Sequence, residues 1–130
     1  MDEAESTYNV IRWSMSLGVN AGYDLTNQKK MLIEDICAVY QEAAKEVFEE
    51  TGVYVSAVCN DARIVYHTEW GCPKGGEFAY TFTGSCNPFF SEKEKYTHAL
   101  QKVAKLMKEK LHQSTVLLEL VPAHIEYFKD

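Results

Sequence analysis

Hydrophobic and polar positions alternate with period two over "YNVIRWSMSL", residues 8–17. Asn9, Ile11, Trp13, Met15 and Leu17 fall on one side, and Tyr8, Val10, Arg12, Ser14 and Ser16 on the other, which predicts a strand. "GVNAGYD" ends it as a glycine-broken loop. From Thr26 to Thr51 the period lengthens: Leu32, Ile36, Val39, Ala43 and Val47 recur at three- and four-residue steps. That spacing predicts a long helix, capped by Thr26 or Asn27 and stopped by Gly52. "VYVSAVC" and "RIVYHTEW" follow as two strands, with Asn60, Asp61 and Ala62 as the hairpin turn. "EFAYTFT" alternates again. Ser91 and Glu94 have capping-box spacing, and Tyr96, Ala99, Leu100, Val103, Met107 and Leu111 form the apolar stripe of a second helix. "STVLLELV" is nearly continuous in apolar residues, as expected of a strand covered on both faces. Pro122 interrupts it, and "AHIEYF" resumes as an edge strand.

The order βαβββαβ predicts an α+β two-layer sandwich, with two helices on one face of a four- to five-stranded mixed sheet. Residues 1–6 read as an acidic tail and 7–130 as a single domain. The helices cover one face of that sheet only, whereas Val116, Leu117, Leu118, Leu120 and Val121 send apolar groups to both. A homo-oligomer, a dimer or trimer, is the expected way to bury the second face.

Composition narrows the function classes. The 130 residues carry 13 Lys and Arg against 19 Asp and Glu, a net charge of −6, which argues against a nucleic-acid binder held by phosphate contacts. No apolar run is long enough to cross a bilayer, and the acidic start is unlike a secretory signal. A cytoplasmic location is expected, with the four cysteines as free thiols. Cys59, His67, Cys72 and Cys86 would supply four zinc ligands but lack the usual spacing; neutral side chains packed locally are the preferred reading. No cofactor or metal is implied.

The element order resembles that of the tautomerase superfamily, the relatives of macrophage migration inhibitory factor, from "YNVIRWSMSL" through "VLLELVPAHIEYF". The resemblance implies a trimer whose sheets meet around an axis. It also implies an amino-terminal proline as general base, yet Asp2 follows Met1 here and the first proline is Pro73. That catalyst is absent.

Within "ARIVYHTEWGCPKGGEFAY", extended alternation places Arg63, His67 and Glu69 in one polar row. Arg12 and Arg63 supply positive charge for a carboxylate or phosphate, His67 a titratable donor, Tyr8 and Phe90 stacking surfaces, and Lys74 a cation in the glycine-rich loop. A solvated sheet face with cross-strand charge pairs is the plain alternative. "GCPKGGE" lacks phosphate-loop spacing. Phe89 and Phe90 read as a staple before the second helix, or as a stacking platform. With no catalytic set assembled, the expectation is a non-catalytic oligomeric domain binding a small anionic ligand or a partner protein, such as an inhibitor or sequestering protein. The alternative is a small tautomerase-like isomerase using a base other than proline.

Overall fold

The computed structural model describes residues 6–21 and 27–129, the first three of them as backbone only. The elements are β1 (Ser6–Gly18), α1 (Ile33–Thr51), β2 (Val58–Ile64), a 3-10 turn (Thr68–Trp70), β3 (Glu77–Ser85), α2 (Lys93–Lys110) and β4 (Leu117–Tyr127). Four strands form one sheet in the order β2-β3-β1-β4, and every pairing is antiparallel. This is the split β-α-β arrangement, in which each helix returns the chain across the sheet and both helices lie on one face. The two-layer α+β sandwich expected from the pattern is therefore present.

Residues 11, 13, 15 and 17 of β1 turn toward the helices. Trp13 and Met15 are fully buried there, together with Phe82 of β3, Ile36 and Val47 of α1, and Leu100, Val103 and Met107 of α2. Two buried tyrosines place their hydroxyls on partners: Trp13 Nε1 donates to Tyr96 Oη at 2.8 Å, and Tyr40 Oη donates to the Val55 carbonyl at 2.8 Å. Desolvation drives both tyrosine pKa values upward, Tyr96 to about 12. On the surface Lys110 reaches both Glu42 and Glu46, and Lys102 reaches Glu50, tying α2 to α1.

Several expectations need correction. The sheet is not mixed, because βαββαβ connectivity with this strand order reverses direction at every neighbour. The hairpin turn at residues 60–62 does not exist: Asn60 and Asp61 lie within β2, opposite Thr81 and Tyr80. An edge strand exposes such side chains freely, and Asp61 pairs with Lys30 at 3.4 Å. Residues 53–57, expected to be strand, precede β2 as unpaired chain. α1 starts at Ile33; Thr26 lies outside the described residues, and Asn27 is well short of the helix. Gly52 does end it, at φ 76° with its N–H on the Phe48 carbonyl. α2 begins at Lys93 with Glu92 rather than Ser91 at the cap position, and no side chain caps it.

β4 runs unbroken through Pro122, since an edge strand can turn a missing N–H away from its neighbour. It is not covered on both faces within the chain: Leu117 is 77% exposed, and Leu120 and Val121 are each 39% exposed. The tail expected over residues 1–6 falls, apart from Ser6, outside the described residues; Ser6 already pairs with Tyr127.

Candidate active site

At one end of the sheet β1 and β2 finish while β3 and β4 begin. Their termini, the turn after β2 and the chain leaving α2 surround a cleft of about 470 Å³. Ser16 and Gly18 come from β1, Ile64 and Tyr66 from β2 and its continuation, Trp70 from the 3-10 turn, and Glu77 from β3. Gln113, Ser114, Thr115 and Leu117 complete the wall.

Glu77 is the centre of this site. At 8% exposure it is the buried charged residue of the described chain. Burial pushes its carboxyl above the ordinary glutamate range, and a hydrogen bond from Tyr66 pulls partly the other way. The Tyr66 hydroxyl is itself shifted upward, first by desolvation and then by the Glu77 charge, so it stays protonated and donates.

The backbone makes room for that carboxylate. A Cβ on Gly18 would come within 2.1 Å of Glu77 Oε1 and 2.8 Å of Gln113 Oε1. Gln113 is delivered by the end of α2. There His112 adopts a left-handed φ of 53°, and the Gln113 N–H bonds back to the Lys108 carbonyl at 3.0 Å. Its amide nitrogen then donates to the carbonyls of Asn20 and Leu111, which turns its oxygen toward Gly18.

No Lys, Arg or His is among the described residues lining the cleft. A buried carboxylate beside a protonated phenol makes it a site for positive charge. The thiol of Cys72 braces the approach, accepting from the Tyr66 N–H at 3.4 Å and facing the carbonyls of Ile64 and Pro73.

The structure separates the residues singled out from sequence. Arg12 lies on the open face of the sheet, opposite Ser85 and Val121. Arg63 is on the helix-facing side, its guanidinium 4.4 Å from the Phe78 ring centroid. The row breaks because β2 stops at Ile64, so period two no longer holds for His67 and Glu69. His67 instead caps the 3-10 turn, its Nδ1 accepting from the Glu69 N–H at 3.1 Å, with its ring 6.0 Å from that of Trp70. Lys74 is exposed in the loop before β3. Phe90 is 72% exposed beside a second hollow, with Tyr54 and Ser91, off the far end of β3. Phe89 meets Tyr127 rather than the core, with ring centroids 5.1 Å apart. The Tyr8 side chain lies outside the described residues. Only His67 and Glu69 are brought together, and they adjoin the cleft without lining it.

Sequence reasoning passed over Tyr66, Trp70, Glu77 and Gln113. One signal was available: Glu77 opens an apolar strand directly after Gly75-Gly76, where a carboxylate is out of place unless used.

The cysteines are free; Cys72 and Cys86 are buried, and Cys37 and Cys59 half-buried. Desolvation, with Cys37 beside it, raises the Cys59 thiol to about 12. Among the described residues no group of three or more His, Cys, Asp or Glu is placed to hold a metal. No described helix is long and apolar enough to cross a membrane.

Fold and cleft together define a small antiparallel α+β domain with a buried acid at the sheet end. The chain belongs to the SAM lyase family, whose pattern it matches over residues 8–129. Among solved structures it is similar to a phage SAM lyase in complex with S-methyl-5′-thioadenosine, at 18% identity and a TM-score of 0.62, covering 92% of this chain and 89% of the other. A phage SAM lyase in the apo state matches at the same identity and TM-score, covering 94% of this chain and 91% of that one. No curated protein matches the chain significantly.

Family membership overturns three expectations: the tautomerase resemblance, the non-catalytic binding domain and the leaning against an enzyme. The first rested on element order, which leaves strand order and direction open. The others rested on the lack of a catalytic motif in the sequence, which is a poor guide where the site is joined from several segments.

Proposed function

We propose that the protein is an S-adenosylmethionine lyase that releases S-methyl-5′-thioadenosine from the cleft around Glu77. The observation that carries this reading, beside the family, is a buried carboxylate in a pocket with no basic lining residue. S-adenosylmethionine is a sulfonium and an ammonium cation, and a cleft of about 470 Å³ is within the usual range for a ligand of its size.

The substrate brings its own leaving group. Breaking the bond between sulfur and the γ-carbon of the amino acid sends the electron pair to sulfur, giving a neutral thioether that needs no proton. The four-carbon remainder closes the balance when its own carboxylate attacks the γ-carbon, forming a lactone with no water and no protein base. What the protein must supply is conformation and charge. Sulfonium charge vanishes along this path, so a carboxylate aimed at it would hold the substrate more tightly than the transition state. Glu77 is therefore assigned to the ammonium group, which stays cationic throughout. Tyr66 holds Glu77, and Trp70 offers a face for the adenine.

The protein works as a homo-oligomer, a dimer or trimer, on this reading. Leu117 both lines the cleft and leads onto the exposed apolar surface of β4, so a second copy covering β4 would also border the site. The enzyme acts where its substrate is made, in the cytoplasm.

Incubation with S-adenosylmethionine, followed by mass spectrometry, tests the reaction. Methylthioadenosine and a four-carbon lactone are expected in equal amounts; intact substrate would refute the activity, and an unsaturated amino acid would refute the internal displacement. Sedimentation tests the assembly, and a 14.8 kDa species at micromolar concentration would refute it.

A further inference from the structure

β1 stops pairing with β3 at Gly18 opposite Ala79, so the first residues of β3 lose that neighbour just where Glu77 must be held. On its other side β2 still pairs, with Ile64 opposite Glu77 and Arg63 opposite Phe78. The chain entering Glu77 is permissive, since Gly75 and Gly76 both take left-handed φ values, 88° and 96°. A carboxylate at the head of a half-paired strand behind two such glycines would swing unless something else fixed the backbone.

Gln28 occupies that place. Its Nε2 donates to the Gly76 carbonyl at 3.0 Å and its Oε1 accepts from the Phe78 N–H at 2.8 Å. One primary amide thus satisfies the peptide groups on both sides of Glu77, as a neighbouring strand would. The segment carrying Gln28 is anchored just after it: Asn20 exchanges two hydrogen bonds with the Lys29 backbone, and Tyr80 Oη donates to the Met31 carbonyl at 2.6 Å. Asn20 also accepts from Gln113, so the clip and the oxygen facing Gly18 share one scaffold.

We propose that Gln28 is a positioning residue that replaces the missing strand beside Glu77 and sets the carboxylate against the substrate's cationic group. This rests on the reading of Glu77 as the substrate's counter-charge. Gln28 touches no reacting atom; it acts through the backbone. Because the ammonium is bound equally before and during cleavage, loosening Glu77 should raise KM far more than it lowers kcat.

The test uses the full chain labelled with δ-carboxyl ¹³C glutamate, with the Glu77 signal assigned by its loss in Glu77→Gln. In Gln28→Ala the Glu77 carboxyl should titrate closer to free glutamate than in the wild type, and KM for S-adenosylmethionine should rise about 10-fold with kcat nearly kept. Gln28→Glu retains the shape and the acceptor for Phe78 but loses the donor to Gly76; KM should rise by less than in Gln28→Ala, whereas its added like charge raises the Glu77 titration. A folded Gln28→Ala with unchanged Glu77 titration and unchanged KM overturns the proposal. If Gln28→Ala does not fold, Gln28→Met, which keeps the length and loses both hydrogen bonds without adding charge, is read in the same two ways and decides it. A wild type that neither binds nor cleaves the substrate would sink the functional reading instead, while the carboxyl titrations would still judge the clip.

Discussion

Two glycines in neighbouring strands make room for large side chains at opposite ends of the sheet. A Cβ on Gly84 would meet the Trp13 ring at 2.7 Å and the Ser56 carbonyl at 2.8 Å, whereas one on Gly18 would meet the Glu77 carboxylate and the Gln113 amide. The obstacles differ in kind. An indole fully buried and bonded to Tyr96 cannot yield, and neither can a backbone carbonyl. A carboxylate and an amide are the free ends of flexible chains and can swing aside. The same residue type therefore protects stability at one end of the sheet and chemistry at the other.

The largest effect is expected at the rigid end. Trp13→Ala should cost about 3–5 kcal/mol in denaturant unfolding through lost burial and an unfilled cavity. Gly84→Ala should cost about 1–3 kcal/mol by overpacking. Gly18→Ala is the opposite case: thermal unfolding should change little while kcat/KM for S-adenosylmethionine falls about 100-fold, mostly through KM, because the carboxylate is displaced. A Gly18→Ala protein that loses stability as Gly84→Ala does would erase the contrast.

Glu77→Gln sharpens it further. Burial raises the Glu77 carboxyl above its unfolded value, so folding favours the protonated form. The stability penalty is absent below the ordinary glutamate range, grows as pH rises through the raised folded value, and is constant above that. Glu77→Gln should therefore raise Tm at neutral pH while KM for the substrate climbs steeply. Stability of the wild type should decline through this group as pH rises from the ordinary glutamate range through the raised folded value, and the variant should lose that component. Substrate affinity should run the other way, falling as acid protonates Glu77. A variant less stable than the wild type would show that the carboxylate is a structural partner rather than a tolerated cost.

The smallest effect belongs to Tyr66→Phe. The Tyr66 hydrogen bond lowers the Glu77 carboxyl, so its removal should move the acidic limb of the pH–rate profile to higher pH, with little change in Tm. No displacement of that limb would mean that the Tyr66 hydroxyl does not tune Glu77.

Short-range pattern settled much of this molecule. Alternation in β1 assigned Trp13, Met15 and Leu17 to the core, helical spacing assigned Ile36, Val47 and Val103, and Gly52 marked the end of α1, because each depends on neighbours a few residues away. What tertiary structure decided was where strands stop. β2 ends at Ile64, which dissolves the Arg63–His67–Glu69 row. β1 ends opposite Ala79, which leaves Glu77 to be held by Gln28 and Tyr66. The site joins Gly18, Tyr66, Glu77 and Gln113 from segments far apart in the chain, and none carries a motif. A burial pattern is written residue by residue, but a buried charge acquires its meaning only from the groups that the fold sets against it.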